Sequence, residues 1–304
     1  MSIPKPVLCL ALTGLLFNSV SFQAQQRKIV KPGSHPARTR VTMSTAERAL
    51  VDEAILVVCT QAKLDPNGSL AIDDMQSRPS LPVHSPEAQQ GAARAQKLLP
   101  LAKSLVISSL NQLVKDYGLN KSPAVRSRLQ QATDRVQAVT KVKPDMEARD
   151  NASVYLNRPR TITFGTLFLA GLRSDEGMVS VLSHELMHIA DGPNDNLRAL
   201  VDSIANKASS LTGLEIHGQK AEELTCDLIG AMAVRTFVGD SPGYESIARR
   251  LARSVEHNCV GQDEGDDEHL SPRNTIRALL SLNPQLVREL VNDKEEISPK
   301  RTRN

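Results

Sequence analysis

Tryptophan is missing from this 304-residue chain, and aromatic residues of all kinds make up only 3% of it. Sheet-rich cores draw on aromatic and β-branched side chains, so the shortage points toward helices packed through Leu, Ala and Val. A dominant charge sign is also missing: 37 basic residues stand against 34 acidic ones, a formal net charge of +3. That balance is too even to mark a nucleic-acid binder. There is no CxxC pair, so no zinc knuckle is expected, and no internal repeat is visible. With 40% hydrophobic and 23% charged residues, the composition is that of an ordinary globular chain. A wholly disordered chain and a multispanning membrane protein are both excluded. The length suffices for two modest domains, or for one larger domain with appendages.

The first residues read as a targeting segment. Lys5 supplies a positive start, Val7 to Phe17 is apolar apart from Thr13 and Gly14, and Ser19, Ser21 and Ala24 are small. This is the layout of a secretory signal peptide, and the run is shorter than the roughly 20 residues of a spanning helix. Residues 1–24 are therefore expected to be a signal, with an uncleaved anchor as the alternative. The mature chain should lack a transmembrane span and be exported, to a periplasm or the extracellular space. Cleavage after Ser21 fits the small-residue rule better than cleavage after Ala24, which would place Phe22 at the third position before the cut. Residues 25–44, basic with Pro and Gly and without apolar periodicity, read as a flexible linker.

From Thr45 apolar residues recur at helical spacing through Ala49, Leu50, Ala54, Ile55, Val57 and Val58. Asp65 to Gly68 is a turn, and its glycine falls too early for a calcium loop. Residues 76–86, with Pro79, Pro82 and Pro86, form another loop. A long helix is expected over Glu87 to Tyr117, with Leu98, Leu101, Leu105, Leu110 and Leu113 as its buried stripe and Pro100 kinking or dividing it. A further helix covers Pro123 to Val136. Short strands are predicted around Val139 and Val142 and over Ala152 to Leu156, and a longer one over Arg160 to Leu169. Ser174-Asp175-Glu176 is a helix start, an N-cap serine followed by two acids. That helix should stop at Gly192-Pro193.

Within it the chain reads His184-Glu185-Leu186-Met187-His188, an HExxH pattern. Residues four apart share a helix face, so both imidazoles can bind one Zn²⁺. Glu185 is then placed to act as general base toward a water at the metal. Downstream, in a second helical stretch, lies Glu222-Glu223-Leu224-Thr225-Cys226-Asp227. A catalytic zinc takes three protein ligands and keeps one open position. Glu223 can be the third ligand, and Asp227 shares its face and can hold the far nitrogen of a zinc-bound imidazole. Glu222 is the rival ligand, but the register with Asp227 favours Glu223. Cys226 sits inside this motif and Cys9 leaves with the signal, so Cys59 and Cys259 are the expected disulfide in an oxidising compartment.

Residues 151–191 (NASVYLNRPRTITFGTLFLAGLRSDEGMVSVLSHELMHIAD) resemble the HtpX-like gluzincin metallopeptidases, a group that includes Ste24-type prenyl-protein proteases and secreted periplasmic peptidases of outer-membrane protein quality control. The resemblance rests on Asn151-Ala152 before an edge strand, the strand ending near Gly165, the SDE helix start, and HELMH. ELTCD is similar to the family's ExxAD, with Cys226 where Ala is usual, and the likeness spans roughly residues 125–285. It implies a predominantly helical α+β fold with a zincin-like core, a small sheet and an active-site helix. By residue, it implies His184, His188 and Glu223 as ligands of one zinc per chain and Glu185 as general base. Cys226 would be a small residue packed between helices rather than a fourth ligand. The family's late histidine has a counterpart in His269, a candidate transition-state donor, but the arginine expected six positions later is Thr275 here, with Arg273 and Arg277 nearby. The interval from His188 to Glu223 is also short compared with relatives that carry a lid there.

Residues 45–120 then read as an N-terminal helical region, 121–290 as the metallopeptidase domain and 291–304 as a disordered basic tail. The expected activity is that of an exported zinc metalloendopeptidase acting on unfolded or extended polypeptides, with envelope protein quality control as its setting. Substrate would lie extended along Ala152 to Leu156. Two rivals are a zinc-bound, chaperone-like protein that holds unfolded chains without cutting them, and a metal-free helical adaptor. His217, His257 and the acidic run Asp263 to Glu268 read as surface features.

Overall fold

Ser44 opens the first helix through a reciprocal cap: its backbone N–H donates to Glu47 Oε2 at 2.7 Å, and Glu47 N–H donates to Ser44 Oγ at 3.2 Å. The computed structural model describes residues 42–64, 77–156, 159–240, 247–260 and 264–297. The expected signal peptide, nearly all of the linker, the turn at Asp65 and the basic residues at the end of the tail lie outside the described residues. The linker's last residues do not: Met43 is buried in the core.

Among the described residues there are ten α-helices and one three-stranded sheet. In chain order they are α1 (Thr45–Leu64), α2 (Pro86–Asp116), α3 (Pro123–Ala138), β1 (Lys141–Asp145), β2 (Ala152–Val154), β3 (Thr161–Gly165), α4 (Thr166–Gly171), α5 (Asp175–Asp191), α6 (Arg198–Thr212), α7 (Gln219–Asp240), α8 (Ile247–Val260), α9 (Pro272–Leu282) and α10 (Pro284–Ile297). The protein is thus a mostly helical α+β chain. No described helix is long and apolar enough to cross a membrane. The sheet runs β1-β3-β2, with β1 parallel and β2 antiparallel to the central β3.

Three expectations need correcting. Arg160 to Leu169 is not one strand: β3 ends at Gly165 and Thr166 begins α4. The β-branched and aromatic residues of that stretch suit the buried end of a strand, but from Thr166 on the apolar residues close a helical turn, with Leu172 N–H bonded to Phe168 C=O at 2.8 Å. Pro100 does not divide α2, which continues through it for 31 residues. The buried stripe of α2 is also only partly leucine. Leu105, Leu110 and Leu113 are buried, but Leu101 is 38% exposed, and Ala95, Leu99, Ala102 and Val106 carry the inner face. Small residues mark the close face because they let other elements approach; at Gly91 a Cβ would lie 2.3 Å from the Leu169 carbonyl oxygen.

Two apolar clusters hold the fold. The larger joins α2 and α3 to the sheet, α5, α6 and α7 through Val106, Leu110, Val136, Ile162, Phe164, Leu182, Leu186 and Ile229. The N-terminal helical region and the later part of the chain therefore share one core. The second cluster packs α1 against α8, α9 and α10 through Val51, Ile55, Leu251, Ile276 and Leu290. The expected disulfide is present: Cys59 on α1 is bonded to Cys259 on α8, and Cys226 is a free, buried thiol. A disulfide is consistent with an oxidising, exported location.

Candidate metal centre

Helix α5 is fixed at both ends. Ser174 Oγ accepts the Gly177 N–H at 3.1 Å, and Asp175 and Glu176 lie in the first turn, where carboxylates favour the positive end of the helix dipole. Glu176 is buried, and its carboxylate meets Arg250 of α8 at 2.8 Å and Arg253 at 3.8 Å. At the other end the Arg135 guanidinium of α3 donates to the carbonyls of Ile189 at 3.0 Å and Asp191 at 3.2 Å, and also to that of Ala190. A cation over the last carbonyls satisfies groups that a helix end leaves open. Gly192 follows with φ of 69°, a left-handed conformation that glycine adopts without cost, and its N–H closes onto His188 C=O. Neither Arg135 nor the Glu176 ion pair was visible in the sequence, because each joins positions more than 50 residues apart.

Helix α7 crosses α5 closely. At Gly230 a Cβ would lie 3.0 Å from the Ser180 carbonyl oxygen, so a larger residue would force the helices apart. On the same face, Glu223, Cys226 and Asp227 stand opposite His184 and His188. His184 Nε2 is 3.2 Å from Glu223 Oε2, His188 Nε2 is 3.5 Å from Glu223 Oε1, and the two Nε2 atoms are 3.2 Å apart. His184 Nδ1 lies 2.9 Å from Asp227 Oδ1. Glu222 is turned away toward Arg198, at 3.9 Å.

The donor set can be tested against a metal. With Nδ1 of His184 donating to Asp227, its Nε2 carries a lone pair. In the neutral ring that lone pair faces a carboxylate and a second imidazole nitrogen, electron-rich atoms that either a metal ion or a proton on Nε2 can hold together. A tetrahedral zinc with bonds of about 2.0–2.1 Å holds its ligand atoms about 3.3 Å apart; the two Nε2 atoms are 3.2 Å apart, and each meets a different oxygen of the Glu223 carboxylate, at 3.2 and 3.5 Å. The residues fit. Ligand atoms of His184, His188 and Cys226 also lie within 4.8 Å of one another, so this group can hold a metal ion.

Electrostatics follow from the same contacts. Burial opposes charge on His184, but the hydrogen bonds to Asp227 and Glu223 outweigh it and raise its pKa well above the usual imidazole value. Burial would raise Glu223, yet its bonds to the two histidines hold the carboxyl far below the ordinary carboxylate range. Burial pushes Glu185 up, against the pull of both imidazoles, and raises the Cys226 thiol.

His269 reaches the rim of this cluster, its Nε2 3.7 Å from Glu223 Oε2 and its side chain about half exposed. Asp266 holds it there, accepting the His269 backbone N–H at 2.6 Å and lying 3.2 Å from Nδ1. Part of the acidic run therefore shapes this turn. The arginine implied by the family resemblance has no counterpart at Thr275, which is buried, and Arg277 is bound to Asp52 of α1 at 3.1 Å. Arg273 is exposed, as is His217; the side chain of His257 lies outside the described residues. A cavity of about 150 Å³ adjoins the His188 side of the cluster, lined among others by Leu156, Met187, Asp191, Glu222 and Cys226.

Comparison with protein-family models, with curated proteins and with solved structures finds no match to this chain.

Proposed function

We propose that the protein is a zinc-dependent endopeptidase with a zincin-like core. The observation that carries this reading is the convergence of His184 Nε2, His188 Nε2 and the Glu223 carboxylate at 3.2–3.5 Å, next to a buried Glu185. Zinc at this position would supply a Lewis acid that polarises a scissile carbonyl and acidifies a water. The remaining steps belong to the chain's own groups. Glu185 takes a proton from the attacking water and returns it to the departing amine. Asp227 holds His184 in the tautomer that presents Nε2, and His269 offers a donor to charge developing on the carbonyl oxygen.

Substrate geometry follows from the sheet. β2 is an edge strand that packs beside α5, and Tyr155 and Leu156 just beyond it are exposed. An extended polypeptide pairing along this edge would bring a peptide bond toward the histidines. Unfolded or extended chains are therefore the proposed substrates, and the Cys59–Cys259 disulfide supports action in an exported compartment, with envelope protein quality control as a fitting role. One observation favours a second reading, in which the groove holds chains and cuts them weakly or not at all. Thr275 stands where the family resemblance implies an arginine, and Arg277 is committed to Asp52, which leaves the exposed Arg273 as the other arginine of that helix.

The test is zinc content per chain, followed by casein cleavage with wild type and Glu185→Gln. About one zinc and cleavage lost in the variant are expected. Zinc without cleavage in either protein would favour the holding function, and absence of zinc would refute both.

A further inference from the structure

Cys226 lies between Glu223 and Asp227 on the inner face of α7, and its sulfur has one defined polar neighbour. Sγ is 3.6 Å from Nδ1 of His188. Asp227 stands 2.9 Å from the corresponding nitrogen of His184. The two imidazoles are thus arranged alike: each turns Nε2 toward Glu223, and each meets a side chain of α7 at Nδ1. An imidazole that gives its Nε2 lone pair to a metal keeps its proton on Nδ1, and in metal centres that N–H is almost always bonded to an acceptor that fixes the ring. For His188 the side chain that meets Nδ1, among the described residues, is Cys226.

The same geometry argues against the thiol as a ligand beside the two Nε2 atoms. The nitrogens of one imidazole point away from each other, so an atom facing Nδ1 of His188 lies on the far side of that ring from a metal at Nε2. Glu223, in contrast, touches both Nε2 atoms. We infer that Cys226 is a positioning residue of the metal centre, which accepts the Nδ1–H of His188 and fixes that ring's tautomer and orientation while staying off the metal. The inference rests on the zinc reading above and goes beyond packing, since a residue that merely filled space could be alanine. Sulfur is a weak acceptor, so the effect should fall at the low end of the 10–100-fold range for groups that orient metal-bound histidines.

The test uses the full chain and two probes, zinc and cobalt. Zinc dissociation constants are measured by chelator competition for wild type, Cys226→Ala and Cys226→Ser, with circular dichroism and thermal unfolding of the metal-free proteins as controls. Alanine should weaken zinc binding on the order of tenfold, and serine, whose hydroxyl can accept the same N–H, should restore part of the loss. In the cobalt-loaded proteins, wild type and Cys226→Ser should have superimposable spectra without a thiolate-to-cobalt charge-transfer band. Such a band in wild type, lost in the serine variant, would make Cys226 a ligand and overturn the inference. Equal zinc affinity in wild type and Cys226→Ala would overturn it too, leaving the zinc reading standing. A wild type that binds no zinc would overturn both.

Discussion

On the proposed zinc reading, replacing Asp227 with alanine removes a carboxylate that stays off the metal yet sets how well His184 can bind it. Its Oδ1 lies 2.9 Å from His184 Nδ1, and its side chain is 31% exposed, so truncation opens no buried cavity. What is lost is the acceptor that keeps the proton on Nδ1 and the lone pair on Nε2, together with the added basicity that a carboxylate lends the ring. Second-sphere partners of this kind are worth about 10–100-fold in metal affinity, or about 1.4–2.7 kcal/mol. Asp227→Asn should lose less than alanine, because the amide oxygen can still accept the N–H while contributing no charge. Chelator competition at fixed pH gives the dissociation constants, and denaturant unfolding of the metal-free proteins should give nearly unchanged stabilities. If alanine binds zinc within twofold of wild type, Asp227 does not orient a ligand and the assignment of His184 Nε2 as a metal donor loses its support.

Other consequences can be measured independently of activity. The Cys59–Cys259 bond closes a loop across 200 sequence positions; the double serine variant should lose about 2–5 kcal/mol of stability, and an unchanged urea midpoint would contradict the bond's structural role. Arg135→Ala should cost about 1–2 kcal/mol, because the carbonyls of Ile189, Ala190 and Asp191 lose charged donors; hydrogen exchange should quicken at the end of α5 before it does elsewhere. Zinc must displace the proton that Asp227 and Glu223, against the effect of burial, hold on His184 above the usual imidazole pKa. Affinity should therefore fall as pH falls, and calorimetry in buffers of different ionisation enthalpy should register proton release at neutral pH. No release would mean that His184 is already neutral.

How much of this was legible in the chain depends on how local each determinant is. Helix α5 could be read because its cap, acidic first turn and glycine stop all lie within the segment, and the observed helix ends at Asp191 beside Gly192. Glu223 could be chosen over Glu222 because Asp227 sets the register of one helix face. The cysteine pair could be chosen because Cys226 lay within a motif. The TLFLAG segment misled, since β-branched and aromatic residues entering a buried region look the same whether a strand continues or a short helix begins. The leucines of α2 misled for a related reason: the side that meets other elements most closely is marked by Ala95 and Ala102, not by the largest side chains. Arg135, Glu176 with Arg250, and the contact of Cys226 with His188 were illegible because each depends on where another helix passes.

Those nonlocal contacts have a common effect on the candidate centre. The two histidines share one helix, so helix geometry puts them on one face, but Glu223 and Asp227 arrive on another, and their approach depends on where α7 crosses α5. The bare Gly230 against Ser180 lets the helices stand this close. Arg135 at one end of α5, and Arg250 and Arg253 at the other, tie that helix to α3 and α8. Separations of 3.2 and 3.5 Å from one carboxylate to two imidazoles thus rest on contacts well outside the cluster. A substitution such as Gly230→Val, which removes no candidate ligand, should then lower metal affinity by moving Glu223 rather than by removing a donor. Its signature would be weakened zinc binding with both histidines and both carboxylates intact.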